Sequence, residues 1–226
     1  MNRPTRYLGV LIALFAPLSA TPVLADTLLF QQVSLFPNST VLTSQNDLGG
    51  LGNFATMFDD FNLSQNGAID KVTWVGGWFN GQGVGSISSF TIAFWSDASG
   101  QPGSLLFSSN ITGNAHQTPL GTSNVGVLTF SYDAIFAPFL ATAGTPYWIS
   151  IVPNTTGGTP PLWGWDSTFF GGQSVQDFFG TRQIRSTDLT FALYNGPTPV
   201  PEPESFILLA LGLLLSALIR PVSFAR

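Results

Sequence analysis

Two short runs hold the side chains best suited to chemistry. In Trp163-Gly164-Trp165-Asp166 an extended backbone puts both indoles on one face, with a glycine between them and a carboxylate alongside. A sugar ring can stack on such a pair while Asp166 accepts its hydroxyl hydrogens. The same pattern serves to plug a core, since the chain has 6 Trp and 20 Phe to bury. Trp74 and Trp78 pose the same choice at wider spacing. Asp59-Asp60, with Asn62 and backbone carbonyls, offers the clustered oxygens that a calcium ion prefers. Adjacent strand residues point to opposite faces, however, and no Asp-x-Asp-x-Asp loop accompanies the pair, so a solvated strand edge is the competing reading.

Nothing else assembles into a reaction centre. His116, the single histidine, is flanked by Asn114, Gln117, Thr118 and Pro119 in a loop, where a solvated ring is the ordinary state. Gly121-Thr122-Ser123-Asn124-Val125-Gly126 misses the Gly-x-Ser-x-Gly elbow by one position and lacks its strand-to-helix turn. Gly81-Gln82-Gly83-Val84-Gly85 has no following helix to cradle a phosphate and reads as a hairpin loop. No Glu of the exported region precedes Glu202, which leaves aspartates alone for a glycosidase's acid and base. Asn-x-Ser/Thr triplets at Asn38, Asn62, Asn110 and Asn154 follow from an Asn- and Thr-rich composition. With no cysteine, disulfides and thiolate metal sites are excluded. The expectation is a protein without catalytic activity, cofactor or resident metal.

The elements that would position these residues are strands. Period-two segments run from Thr27 to Val33, Ile69 to Phe79, Ile87 to Trp95, Leu105 to Ser109, Val125 to Tyr132, Thr145 to Val152 and Leu189 to Tyr194. Phe90, Ile92 and Phe94 face one way while Thr91, Ala93 and Trp95 face the other, and Tyr147, Ile149 and Ile151 alternate with Trp148, Ser150 and Val152. Turn chemistry separates them: Asp97-Ala98-Ser99-Gly100-Gln101-Pro102-Gly103 supplies the Pro-Gly of a type II turn, and Gly144-Thr145-Pro146 ends another connection. Short strands at regular spacing predict an all-β, antiparallel β-sandwich of jelly-roll type, in one domain of roughly 170 residues.

Charge narrows the partners. Between Asp26 and Glu204 only Lys71, Arg182 and Arg185 stand against all 12 acids, a net charge of −9. Such a surface repels nucleic acid and anionic lipid. With 8% charged residues overall, hydroxyls, amides and glycines must dress the exterior, which suits hydrogen bonding to neutral polymers.

The two ends read as an export route. Arg3 and Arg6, the apolar stretch from Tyr7 to Leu18, and Val23-Leu24-Ala25 have the layout of a signal peptide over 1–25, with cleavage between Ala25 and Asp26. At the other end, prolines at 197, 199, 201 and 203 hold residues 195–204 extended. The run from Phe206 to Ile219 forms a helix of about 21 Å against roughly 30 Å of hydrocarbon, a marginal transmembrane span within residues 205–226. Arg220 and Arg226 follow it, where basic residues favour the cytoplasmic side.

Pro201-Glu202-Pro203, the apolar segment and Arg220 together resemble the PEP-CTERM sorting domain of Gram-negative bacteria, a family also called the ice-binding protein C-terminal domain. The resemblance implies recognition near Pro201-Glu202-Pro203 by a membrane-embedded exosortase. The protein would be anchored in the inner membrane until cleaved, then released to the cell surface or exopolysaccharide matrix. A single arginine stands where the family often has a basic cluster, and no flat repeated Thr array suggests ice binding. The 26–194 region is similar, through Asp59-Asp60-Phe61, Val72-Thr73-Trp74, Gly100-Gln101-Pro102-Gly103, Pro146-Tyr147-Trp148 and Asp188-Leu189-Thr190-Phe191, to β-sandwich domains of secreted, surface-anchored bacterial proteins. The function expected is thus that of an exported, exosortase-processed, non-catalytic surface or matrix protein, or alternatively a carbohydrate-binding module using Trp163, Trp165 and Asp166.

Overall fold

The computed structural model describes residues 24–81, 83–168 and 172–199, and these contain strands, turns and loops without a helix. The strands are β1 (Leu24–Gln32), β2 (Thr40–Thr43), β3 (Gln45–Asp47), β4 (Gly52–Asn62), β5 (Gly67–Phe79), β6 (Ile87–Asp97), β7 (Pro102–Thr112), β8 (Thr118–Thr122), β9 (Leu128–Ala141), β10 (Pro146–Thr155), β11 (Leu162–Ser167), β12 (Ser174–Phe178), β13 (Thr181–Arg185) and β14 (Phe191–Pro199). Residues 25–198 cluster as one unit. The signal segment up to Val23, the Pro201-Glu202-Pro203 motif, the 206–219 run and Arg220 lie outside the described residues. Among the described residues no helix is long and apolar enough to cross a membrane. The expected cleavage point, Ala25-Asp26, falls inside β1, where the Asp26 carboxylate accepts from Lys71 Nζ at 2.5 Å.

Two seven-stranded sheets form. In the first, β5 is the axis: β9 runs along one side, while β14 at Lys71–Trp74 and β11 at Gly76–Phe79 share the other. The long β9 contains Pro138, which a central strand tolerates only where the ladder is broken. A register shift sits there, with Ile69 opposite Phe139 and Lys71 opposite Ile135. The second sheet has the order β13-β12-β4-β3-β10-β6-β7.

β4 and β10 pair directly over Phe58–Asn62 and Pro146–Ser150, then part to admit β3. The fully buried Ser44 stands where they part. Its hydroxyl accepts the Met57 N–H at 3.1 Å and donates to the Ile151 carbonyl at 2.8 Å, standing in for ladder bonds that the fork removes. Next to it, buried Gln45 accepts the Trp163 N–H at 2.7 Å and donates to the Thr155 hydroxyl at 2.9 Å. These residues join β2 of the first sheet to β3 of the second, so the chain changes sheet on side chains that satisfy both.

Alternation decides what each face buries. Phe90, Ile92 and Phe94 of β6 and Tyr147, Ile149 and Ile151 of β10 point inward, against Val72, Trp74 and Trp78 of β5, Tyr132 of β9 and Phe191 of β14. Each such side chain contributes about 1.5–3 kcal/mol by leaving water. A smaller cluster of Phe58, Trp148 and Val175, with Trp95 against it, packs on the opposite, outer face of the second sheet. The Asp97 to Gly103 turn differs from its expected form. Ser99 and Gly100 carry the positive φ of 56° and 77°, the Asp97 carboxylate accepts the Gly100 N–H at 3.1 Å, and Pro102 opens β7 instead of the turn.

Candidate functional site

The Trp163 and Trp165 indoles lie in the core, each fully buried. Trp163 Nε1 donates to Tyr132 Oη at 3.0 Å and Trp165 Nε1 to the Thr190 carbonyl at 2.9 Å, so even their polar edges are occupied from within. Gly76 is the reason Trp163 fits, since a Cβ there would overlap its ring, and Gly164 is small because Val41 of β2 packs 2.8 Å from where its Cβ would be. Asp166 is buried too, and its Oδ2 accepts from the Ser34 hydroxyl at 2.7 Å and the Thr190 hydroxyl at 3.2 Å. Burial raises its pKa against those bonds. The core-plug reading therefore holds for Trp-Gly-Trp-Asp, and the sugar-stacking expectation at Trp163, Trp165 and Asp166 is corrected: no ligand reaches them. Trp74 and Trp78 are buried as well.

Asp59 and Asp60 both lie in β4, but the expectation of a solvated edge fails for Asp59, which is fully buried. Its Oδ1 accepts the Asp60 N–H at 3.1 Å and its Oδ2 the Leu189 N–H at 2.5 Å, tying β4 to the segment that leads into β14. Opposite faces do not keep the pair apart either, since one oxygen each from Asp59, Asp60 and Asp188 lies within 4.8 Å of the others. Desolvation raises Asp59 well above the usual carboxylate range, and Asp188 and Asp60 add to the effect. Burial raises Asp60 and Asp188 in the same direction. Burial thus holds this carboxyl toward its protonated form against its two backbone N–H donors. His116, exposed, bonds Asp133 Oδ2 through Nδ1 at 3.1 Å, while the neighbouring Thr118 hydroxyl donates to the His116 carbonyl.

The side chains that the fold gathers into an accessible site lie on the outer face of the second sheet. A cavity of about 570 Å³ opens there, lined from β13 to β7. Its form follows from strand register. Ser150, Ala93 and Ser108 sit side by side on β10, β6 and β7, a row of small residues that leaves the floor low. On one side of this row Trp95 opposes Trp148 and Leu105; on the other, Thr91 pairs with Val152, and Asn154 with Ser89 and Asn46. Trp95 is partly exposed and fixed, with Nε1 donating to the Ser150 hydroxyl at 3.0 Å and its ring edge-on to Phe58 at 5.5 Å. The Arg182 guanidinium lies 5.7 Å from the Phe58 ring and 3.7 Å from the Asp177 carboxylate of the neighbouring strand. Asn154 is held by Asn46 at 2.7 Å and Ser89 at 2.8 Å.

One bond defines the shape of this face. Arg182 of β13 donates to the Pro102 carbonyl of β7 at 2.7 Å, although these strands are the two edges of the sheet. In a flat sheet, even where β4 and β10 pair directly, five strand spacings of about 4.8 Å would separate them by roughly 24 Å. The sheet therefore curls, and its outer face is concave. The site's residues were legible only in part. Alternation already sent Trp95 outward, but Asp177 and Arg182 lie on β12 and β13, whose polar sequences carry no strand signal.

A family described as a domain of unknown function, DUF7901, matches residues 44–178, which takes in β3 to β12 and the cavity walls other than Gly180 and Arg182. No curated protein and no solved structure matches the chain. Because the match covers more than half of its length, from the β3–β4–β10 fork to the concave face, the chain belongs to the DUF7901 family.

Proposed function

We propose that this is an exported, non-catalytic protein of the cell surface or exopolysaccharide matrix, whose sandwich, of jelly-roll type, binds glycan on the concave outer face of its second sheet. The observation that carries the binding reading is the cavity around Trp95: a fixed, partly exposed indole among Asn46, Thr91, Asn154, Asp177 and Arg182. A flat apolar ring beside hydroxyl, amide and carboxylate groups is what a sugar needs, one apolar face to stack and several hydroxyls to bond. The site assignment thus moves from the buried Trp163 and Trp165 to Trp95.

The export part rests on the sequence: the signal segment before Asp26, and the resemblance of Pro201-Glu202-Pro203, the 206–219 run and Arg220 to an exosortase-processed tail. Exosortase and the inner membrane are the partners before processing, and exopolysaccharide the partner after it. A glycan array tests the binding reading. The protein should bind neutral glycans, and Trp95→Ala should lose about 1.5–3 kcal/mol of that affinity in the material that remains folded, since its ring also packs on Phe58. Absence of binding to every neutral glycan offered would sink it.

A further inference from the structure

One end of the concave face is strapped by the β6–β7 turn. Trp148 is buried on this face, with Nε1 donating at 2.9 Å to Asp97 at the start of the turn. Gln173, just before β12, donates to Gly100 in the same turn at 3.1 Å, and Arg182 reaches Pro102 at its end. The turn is thus bonded to β10, β13 and the approach to β12, and it roofs the small apolar cluster beneath. This plugs the trough beside Trp95. Asn46, Asn53 and Asn154 line the opposite end, where β3 wedges the sheet apart, and no comparable strap crosses there among the described residues.

The polar groups at the blind end are paired. Arg182 is the one basic residue lining the cavity, and it stands 3.7 Å from Asp177, so donor and acceptor present themselves side by side with no net charge. Neighbouring sugar hydroxyls suit that arrangement, one donating to the carboxylate and one accepting from the guanidinium. An anionic polymer would meet the net −9 of the region from Asp26 to Glu204 with only this neutralised arginine to hold it. Arg182 and Trp95 lie 5.7 and 5.5 Å from the Phe58 ring, hence within about 11 Å of each other. That spacing suits the last rings of one chain.

We infer that the site takes the end of an uncharged glycan: the terminal ring enters the blind end at Asp177 and Arg182, a ring stacks on Trp95, and the rest of the chain leaves past Asn46 and Asn154. This rests on the glycan-binding reading above and adds which part of the polymer is bound.

The test is calorimetry on the full-length protein with linear gluco- and galacto-oligosaccharides from the monomer upward, together with a cyclic glucan, which has no end. Affinity should rise over the first few rings and then stay flat. The cyclic glucan should bind at least tenfold more weakly than the linear form. Trp95→Ala, and Ser108→Trp, which fills the trough from an exposed floor position, should each reduce binding at least tenfold. The second variant keeps the test sound if the first folds poorly. Affinity that climbs steadily with chain length, or a cyclic glucan bound as well as the linear one, would overturn end recognition while leaving glycan binding standing. Failure of every oligosaccharide to bind would overturn both.

Discussion

At the scale of single residues, burial separates structure from function. Trp163→Ala should cost about 3–5 kcal/mol of folding free energy, seen as a lower urea midpoint, with no specific loss of ligand affinity in whatever remains folded. Asp59 makes a different prediction. Its pKa is raised in the fold, so between the unfolded carboxylate value near 4 and the raised value the folded chain holds a proton that the unfolded chain has released. Its contribution is fully present below about pH 4 and is lost as pH rises through the folded value. Asp166, Asp60 and Asp188 shift in the same direction. Urea unfolding from pH 4 to pH 8 should therefore show stability falling with pH, and Asp59→Asn, which keeps an oxygen for the Leu189 N–H, should flatten the slope; an unchanged slope would refute the assignment. The Trp-Gly-Trp-Asp run showed in sequence that two indoles share a face, but not which face meets the core. Facing is a property of the pairing with β5 and β2, made by residues far away in the chain.

At the scale of elements, the strands that alternate were readable and the others were not. β5 and β6 fall close to their expected positions because each keeps one partly wet face, and β10, although buried on both faces, because Tyr147, Ile149 and Ile151 still alternate with a set that includes the polar Ser150. β4 escaped notice because it is buried on both sides: Met57 and Phe61 enter the main core while Phe58 enters the outer cluster, which erases the period. β12 and β13 are short and polar, and β3 is held by the fork more than by its own sequence. Ser44→Ala tests that fork. It leaves the Met57 N–H and the Ile151 carbonyl without their side-chain partner in a dry interior, and should cost about 2–3 kcal/mol. A loss under half that in a denaturant titration would show that β4 and β10 close the gap unaided.

At the scale of the whole molecule, the proposed sorting tail would govern where the sandwich acts. Glu202 is the acid between two prolines that a processing enzyme can read, and Leu213 lies within the apolar run. Glu202→Ala should accumulate uncleaved in the inner membrane, whereas Leu213→Arg, costing about 2.5–3.5 kcal/mol of insertion, should escape as uncleaved soluble protein. Mass spectrometry of membrane, soluble and surface fractions checks both, and mature protein of unchanged mass on the surface in both variants refutes the sorting route. On the proposed route the protein is concentrated in a matrix, where it would face a hazard that its fold addresses. Sheet edges carry unpaired backbone groups that can template a neighbour's strand, and crowding multiplies the encounters. Two of the three basic residues between Asp26 and Glu204, Arg182 and Arg185, sit on the edge strand β13, and the first is bound across to the opposite edge. Bringing the two edges together across a concave face, with charge on one of them, leaves little straight rim on the second sheet for another copy to extend, so the curl that makes the cavity also blunts that sheet's edges.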